Sequence, residues 1–183
     1  MTEEEMHKLK FPIGKFHYPK EITDELKASW IGIIKDLPIK LEEKLKDVTH
    51  EQLDFAYRPD GWHVKQVVHH LADSHMNAFI RTKMALTEES PIIKPYYERK
   101  FADLPDANNY NIESSLAILN GVHHRFTWLL ESLDEEGFSK TYVHPESKRT
   151  YRIDSVLALY AWHSMHHLGH INQALSSNGD YNS

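Results

Sequence analysis

Apolar residues recur at helical spacing in four long stretches of this 183-residue chain. The most regular stretch covers residues 154–175, and similar patterns predict helices over about 23–47, 62–86 and 112–133. Each has a polar face opposite its apolar stripe, as expected of helices that cover a core. The stripe of the last helix consists of Leu157, Ala161, Ser164, Leu168, Ile171 and Leu175.

Polar residues and prolines predict where these helices begin or bend. Thr23, Asn111 and Asp154 directly precede three of the stripes, so we expect them to act as N-caps. Pro38 lies inside the first stripe and is expected to kink or split that helix, because proline lacks a backbone N–H and its ring clashes with the preceding turn.

The segments between the helices carry weaker signals. We expect residues 1–20 to be irregular, with the aromatic side chains of Phe11, Phe16 and Tyr18 packed on the body. The spacing of Thr49 and Gln52 is that of a capping box and predicts a short helical turn. We expect residues 87–111 to form an ordered, aromatic-rich flap between helices two and three. Residues 139–153 are expected to form a small hairpin.

Together these elements predict an all-α fold, a four-helix bundle in a single domain over residues 1–183. A long crossover joins helices two and three, so these two helices need not be antiparallel. The small hairpin precedes the last helix.

Composition narrows the class of protein. Hydrophobic residues make up 40% of the chain and charged residues 26%, values typical of a soluble globular protein. The net charge is −6 without a basic cluster, which argues against nucleic-acid binding. There is no cysteine, so disulfides and thiolate sites are excluded. With no predicted signal peptide and no apolar run of about 20 residues, we expect a cytoplasmic protein that does not enter a membrane.

Histidines are the main candidates for chemistry, and the chain has 14 of them. Four lie on the last helix as two i,i+4 pairs, His163/His167 and His166/His170. At about 100° per residue, the first pair borders the buried stripe and the second leans towards solvent. The first pair is therefore our candidate for metal ligation; the alternative is that all four are surface histidines.

A third candidate ligand comes from helix two. His70 flanks the apolar face of that helix much as His163 flanks its own, whereas His69 is expected to be solvated. Three histidines with an open fourth position are the pattern of catalytic metal sites, and the open position would hold a water whose pKa the metal lowers. Imidazole suits zinc, nickel, copper or iron. His123 and His124 are weaker candidates, since neither has an i,i+4 partner.

Other residues near His70 carry less specific signals. Asp73 is a candidate catalytic residue that would orient a ligand or act as an acid, although a solvated helix charge is the simpler interpretation. Ser74 is a weaker candidate for a supporting role. Trp62 is expected to wall the pocket, and aromatic core packing would explain it equally well.

The sequence Trp62-x7-His70-Leu71-Ala72-Asp73, followed near the C-terminus by Trp162-His163-x3-His167-x2-His170, resembles the DinB-like superfamily. The run Gly61–Asn77 is similar to its YfiT branch. So are Tyr18-Pro19, Tyr57-Arg58, Leu86–Pro91 and His144-Pro145. The resemblance covers nearly the whole chain. One departure is His63, where the superfamily favours Ser or Thr as the helix cap.

This resemblance implies a four-helix bundle with one divalent ion per chain, Zn²⁺ or Ni²⁺, on His70, His163 and His167. It also implies a dimeric cytoplasmic metal-dependent hydrolase. Relatives of the branch include transferases that use low-molecular-weight thiols such as bacillithiol.

Four functions stay open at this point. The first is hydrolysis of a small-molecule substrate at the metal. The second is transfer of an external thiol, which the metal would bind as thiolate. A non-catalytic metal-binding bundle is the third, motivated by the surplus of histidines. In the fourth, the protein is a helical interaction module with surface histidines only.

Overall fold

The computed structural model describes residues 1–181 and consists almost entirely of helices. In chain order the helices are α1 (Glu3–Lys10), α2 (Asp24–Leu45), α3 (His50–Leu53), α4 (Val64–Thr87), α5 (Glu98–Ala102), α6 (Glu113–Glu131), α7 (Glu135–Ser139) and α8 (Ile153–Ser176). Two short strands, β1 (Thr141–His144) and β2 (Arg149–Arg152), form the predicted antiparallel hairpin before α8. None of these helices is both long enough and apolar enough to cross a membrane.

The four long helices α2, α4, α6 and α8 form the predicted four-helix bundle. Helix α2 packs mainly against α6 and α8, and α4 packs against the same two helices. The order around the bundle is therefore α2, α6, α4, α8. Helices α2 and α4 thus lie at opposite corners, and so do α6 and α8. As a result, α4 and α8 are direct neighbours, although more than 60 residues separate them in the chain.

Each long helix contributes fully buried apolar side chains to the core. Leu41, Leu71, Leu119 and Ile171, one from each long helix, are all 0% exposed and belong to one cluster. A second cluster lies towards the hairpin and includes Phe126. The stripes read from the sequence are thus the faces that the helices bury, and this burial is the main stabilising contribution to the fold.

Two of the expectations for helix α2 can be compared with the structure. Thr23 is its N-cap, and the hydroxyl oxygen accepts a hydrogen bond from the backbone N–H of Leu26 at 3.3 Å, as predicted. Of the two outcomes expected at Pro38, the splitting does not occur, because α2 continues through that position with Pro38 buried, and the kink stays a prediction. At the start of the short helix α3, the capping box predicted for Thr49 and Gln52 is also present.

Two predicted N-caps are wrong. Helix α6 begins after Ile112 without a side-chain cap. In the turn before it, the side-chain oxygen of Asn109 accepts a hydrogen bond from the backbone N–H of Asn111 at 2.8 Å. Asp154 lies inside the first turn of α8, where the guanidinium of Arg152 holds its carboxylate, with Nη2 and Oδ2 2.6 Å apart. That ion pair occupies the carboxylate that we expected to cap the helix.

At the start of α4, His63 provides no side-chain cap hydrogen bond. Instead, the side-chain oxygen of Gln66 accepts a hydrogen bond from the backbone N–H of His63 at 3.0 Å. Although position 63 is His and not Ser or Thr, the start of α4 is therefore still stabilised, by the side chain of Gln66 in the first turn.

The prediction that residues 1–20 are irregular is wrong for α1. Thr2 and Glu5 form a capping box, but no residue of α1 is buried, so no apolar stripe could reveal the helix. The end of α1 lies against α8, where the Gln173 amide donates a hydrogen bond to the carbonyl of Leu9 at 3.1 Å. The segment that follows also contacts α8, since the indole N–H of Trp162 donates to the carbonyl of Gly14 at 3.2 Å. The aromatic side chains pack on the body as expected: Phe11 on His166, Phe16 on Trp162 and Tyr18 on Tyr151.

The crossover between α4 and α6 is an ordered flap, as predicted. Side chains of α4 bind its backbone along much of its length: the Arg81 guanidinium donates to the carbonyl of Lys94 at 2.8 Å, and the Gln66 amide donates to that of Ala102 at 2.9 Å. His69 is also held here, with Nε2 3.0 Å from the carbonyl oxygen of Asn109. The flap therefore covers one side of α4.

We expect the core to be sensitive to truncation at one position of α6 and not at its neighbour. Leu119→Ala should lower the free energy of unfolding by about 2–5 kcal/mol, because the cavity left at a fully buried site cannot close completely. Ile118→Ala, at a position 39% exposed, should change it by no more than about 0.5 kcal/mol. Urea unfolding measures both, and equal losses would contradict the bundle packing described above.

Candidate metal centre

Three imidazole rings meet where α4 and α8 pack together. His70 of α4 and His163 and His167 of α8 each bring one ring nitrogen into a group whose members all lie within 4.8 Å of one another. Nε2 of His70 and Nε2 of His163 lie 3.3 Å apart. His70 and His167 are buried, whereas His163 is partly exposed. These are the three residues that the sequence singled out, and the structure brings them together.

The local sequence explains this convergence. His163 and His167 are one helical turn apart, so their side chains are neighbours on α8, and their ring centroids lie 4.4 Å apart. Because α4 packs directly against α8, the ring of His70 reaches both of them, with centroid distances of 5.3 Å and 4.8 Å. Each ring borders an apolar stripe, and close packing limits its rotamers.

Burial keeps these imidazoles neutral. It lowers the pKa of His70 to about 4 and the pKa values of His163 and His167 well below the ordinary value, and the neighbouring imidazoles act in the same direction. The neutral ring is the form that binds a metal, since protonation removes the lone pair. Three uncharged nitrogen donors within reach of one point fit a divalent cation.

The outward nitrogens of the two α8 ligand candidates have histidine partners of their own. Nδ1 of His163 lies 3.2 Å from Nε2 of His75, and Nδ1 of His167 lies 3.3 Å from Nδ1 of His170. In both rings Nε2 is therefore the nitrogen that can face the point between His70, His163 and His167, which we call the centre. His75 was missed from the sequence, although its position, about 140° from His70 on the helix, falls near the middle of the apolar face.

The prediction that His166 and His170 lean towards solvent is wrong, since they are only 7% and 2% exposed. The N-terminal segment, by which we mean residues 1–20, covers them. The carbonyl oxygen of Lys10 lies 3.2 Å from Nε2 of His170, and the ring of Phe11 packs near His166. Neither residue belongs to the three-histidine group.

The prediction that His69 is solvated is also wrong. It is buried between the crossover and α6, where Nδ1 lies 2.8 Å from the hydroxyl oxygen of Ser115. His123 is buried elsewhere, with Nδ1 2.5 Å from the carbonyl oxygen of Ile34, and His124 packs near Trp128. Neither His123 nor His124 joins the centre.

Asp73 is half-buried on α4, one turn beyond His70. Burial, followed by the nearby charge of Asp106, raises the pKa of its carboxyl. Within residues 1–181, no hydrogen bond joins its carboxylate to any of the three histidines, so its role as an orienting or acidic residue stays a prediction. Ser74 faces Tyr160, whose hydroxyl oxygen lies 3.4 Å away.

A cavity of about 800 Å³ lies beside the centre. Trp62 forms part of its wall and also contacts the histidines, with centroid distances of 4.8 Å to His70 and 6.4 Å to His167. The three histidines do not line the cavity themselves. Its other walls carry charges of both signs: Arg58, Arg99, Asp54, Asp60, Glu98 and Asp103.

The metal-free protein should lose stability as the pH falls from 6.5 to about 4. In the unfolded chain histidine has a pKa near 6.5, whereas burial holds the pKa values of His70 and His123 at about 4. In this window the unfolded state binds more protons, and each such histidine costs about 3 kcal/mol over the whole window. Urea unfolding between pH 7 and 5 measures the slope. His123→Phe should give a shallower slope, and an unchanged slope would refute the assigned burial effect.

Comparison with known proteins places these features in a family. A model of the DinB superfamily matches residues 36–171. Proteins from Bacillus cereus (strain 03BB102) and Bacillus thuringiensis subsp. konkukian (strain 97-27), both named "putative metal-dependent hydrolase", are 48% identical over 166 residues. In each case the match covers 91% of this chain and 95% of the relative.

A solved structure shares the fold. YfiT from Bacillus subtilis, reported as "a probable metal-dependent hydrolase with an unusual four-helix bundle topology", matches with a TM-score of 0.90 and 42% sequence identity. The match covers 94% of this chain and 98% of YfiT. Since the family model spans most of the chain and the curated relatives match nearly all of it, the chain belongs to the DinB superfamily.

Proposed function

We propose that this protein is a metal-dependent hydrolase of a small-molecule substrate, with His70, His163 and His167 holding one divalent ion per chain. The observation that carries the proposal is the convergence of three neutral ring nitrogens within 4.8 Å at the contact of α4 and α8. The names of the relatives support it, since they describe metal-dependent hydrolases.

The number of ligands favours catalysis over a purely structural ion. Structural zinc sites in proteins use four protein ligands, whereas catalytic sites use three and keep one position open. Among the described residues, the group contains three histidines and no carboxylate. A bound Zn²⁺ or Ni²⁺ would supply Lewis-acid activation of a water molecule or a substrate carbonyl. His163 is the partly exposed member of the group, so we expect reactants to approach the ion beside it.

The cavity beside Trp62 is our candidate for the substrate-binding site. Its volume of about 800 Å³ is within the range of small-molecule sites in proteins. Its walls carry both cationic and anionic side chains, which suit a polar substrate with charged groups. The cationic ones are Arg58 and Arg99, and the anionic ones include Asp60 and Asp103. Asp73, whose carboxyl pKa is raised, is our candidate for the acid that protonates a leaving group.

Thiol transfer is the second candidate function. The same cavity has room for a second reactant, and walls with charges of both signs suit a zwitterionic low-molecular-weight thiol. The chain has no cysteine, so a thiol nucleophile has to come from such a molecule. The resemblance to the YfiT branch supports the same idea, because its relatives include transferases that use thiols such as bacillithiol. Homodimer formation remains a prediction from that resemblance alone, and a cytoplasmic location remains a prediction from the sequence and the resemblance together.

Metal content tests the site. Elemental analysis of the untagged protein should find about one ion per chain, and His167→Ala should lose it. His166→Ala is the matched control on the same helix, because the Nδ1 of His166 is buried without a partner among the described residues and the ring lies outside the group. Loss of metal from both variants alike, or several ions per chain, would contradict the three-histidine site and favour a metal-buffering bundle.

Turnover tests the reaction. Zinc- and nickel-loaded protein should cleave members of a panel of small esters and amides without added thiol, and His70→Ala should reduce the rate at least a hundredfold, because it removes a ligand. Mass spectrometry of the products distinguishes the two candidates. Products that form only when a thiol is supplied, and that carry that thiol, would replace hydrolysis by thiol transfer.

A further inference from the structure

The hydrogen-bonding pattern around His170 determines which of its nitrogens carries the hydrogen. A backbone carbonyl can only accept, so the short contact of 3.2 Å to the carbonyl of Lys10 requires the hydrogen on Nε2 of His170. The neutral ring then has its lone pair on Nδ1, which faces Nδ1 of His167 at 3.3 Å. His167 must donate in this contact, and its own lone pair is left on Nε2.

We infer that His170 is a positioning residue through which the N-terminal segment fixes the tautomer of His167. This inference rests on the proposed function, because it concerns a ligand of the proposed metal. The chain of contacts runs from the carbonyl of Lys10 through His170 to His167, and it presents the Nε2 lone pair of His167 to the centre. Ring orientation is fixed as well, since His170 is 2% exposed and stacks on Tyr57 with 3.8 Å between the ring centroids.

His75 is the corresponding partner of His163, which it contacts through its other nitrogen. Unlike His170, it has no second partner among the described residues, because its Nδ1 is buried without a hydrogen bond. Ligation through Nε2 requires His163 to carry its hydrogen on Nδ1, and Nε2 of His75 lies 3.2 Å away to accept it. His75 is 0% exposed. Its ring is held between His123, stacked at 4.7 Å, and the edge of Tyr160 at 5.1 Å. The two outer histidines thus accept through different atoms, His170 through Nδ1 and His75 through Nε2.

This difference permits a crossed test. The amide oxygen of asparagine occupies about the place of Nδ1 in histidine, and that of glutamine occupies about the place of Nε2. His170→Asn and His75→Gln therefore preserve the acceptor, whereas His170→Gln and His75→Asn misplace it. Each position carries its own matched control, which differs by one methylene group and has the same polar group.

We would measure the affinity for Zn²⁺ by chelator competition and the visible spectrum of the Co²⁺-loaded protein, for wild type and all four variants. The acceptor-preserving variants should stay within a few-fold of wild type and keep its Co²⁺ spectrum. Those with the misplaced acceptor should bind Zn²⁺ about 10- to 100-fold more weakly, the usual effect of removing the partner of a metal-bound histidine, and should shift the spectrum. Equal affinities for Asn and Gln at both positions would overturn the inference.

Urea unfolding of the metal-free variants separates positioning from stability. If the residues only support the fold, Zn²⁺ affinity will follow the unfolding free energy and the preference will not reverse between the two positions, which overturns the inference. A long-range ¹⁵N–¹H NMR spectrum of zinc-loaded wild type adds a test that needs no variant. It should show His170 as the Nε2–H tautomer, and the Nδ1–H tautomer would overturn the inference. Wild type that binds no Zn²⁺ would overturn the proposed function itself.

Discussion

The contact of neutral imidazole rings between α4 and α8 is the interaction on which the rest of the site depends. Burial makes a charged ring costly, and it holds the pKa of His70 at about 4. A buried neutral ring still needs partners for its two nitrogens. His163 and His167 direct one nitrogen to the centre and the other to a neighbouring histidine, so the centre is built into a larger set of aromatic and hydrogen-bonding contacts.

The order of the helices makes this contact possible. With α2 and α4 at opposite corners of the bundle, α4 lies beside α8, and residues more than 90 positions apart meet. Two long segments then close over the outside of these helices. The crossover contacts α4 at Gln66, and the N-terminal segment contacts α8 at His170 and Gln173. The site on these two helices is thereby flanked by one segment from the start of the sequence and one from its middle.

Helical periodicity predicted much of this arrangement, because the stripe of each long helix determines which side chains border the core. That information was sufficient for the bundle and for His70, His163 and His167. It failed for His69, His166 and His170, which lie away from the stripes and are buried by segments that return from elsewhere in the chain. The periodicity of one helix contains no information about such segments. Capping predictions also failed at α6 and α8, neither of which has a side-chain cap, because an apolar stripe does not fix the residue at which a helix begins.

The proposed site requires that three histidines, and no other side chain, ligate one divalent ion and leave a position open. X-ray absorption spectroscopy of the zinc-loaded protein tests this requirement, because the scattering from imidazole rings gives the number of histidine ligands. We expect three imidazole ligands with Zn–N distances of about 2.0–2.1 Å and one oxygen ligand. Four imidazoles would instead indicate a closed structural site, in which His75, His166 or His170 turns inward, and would overturn the three-histidine site.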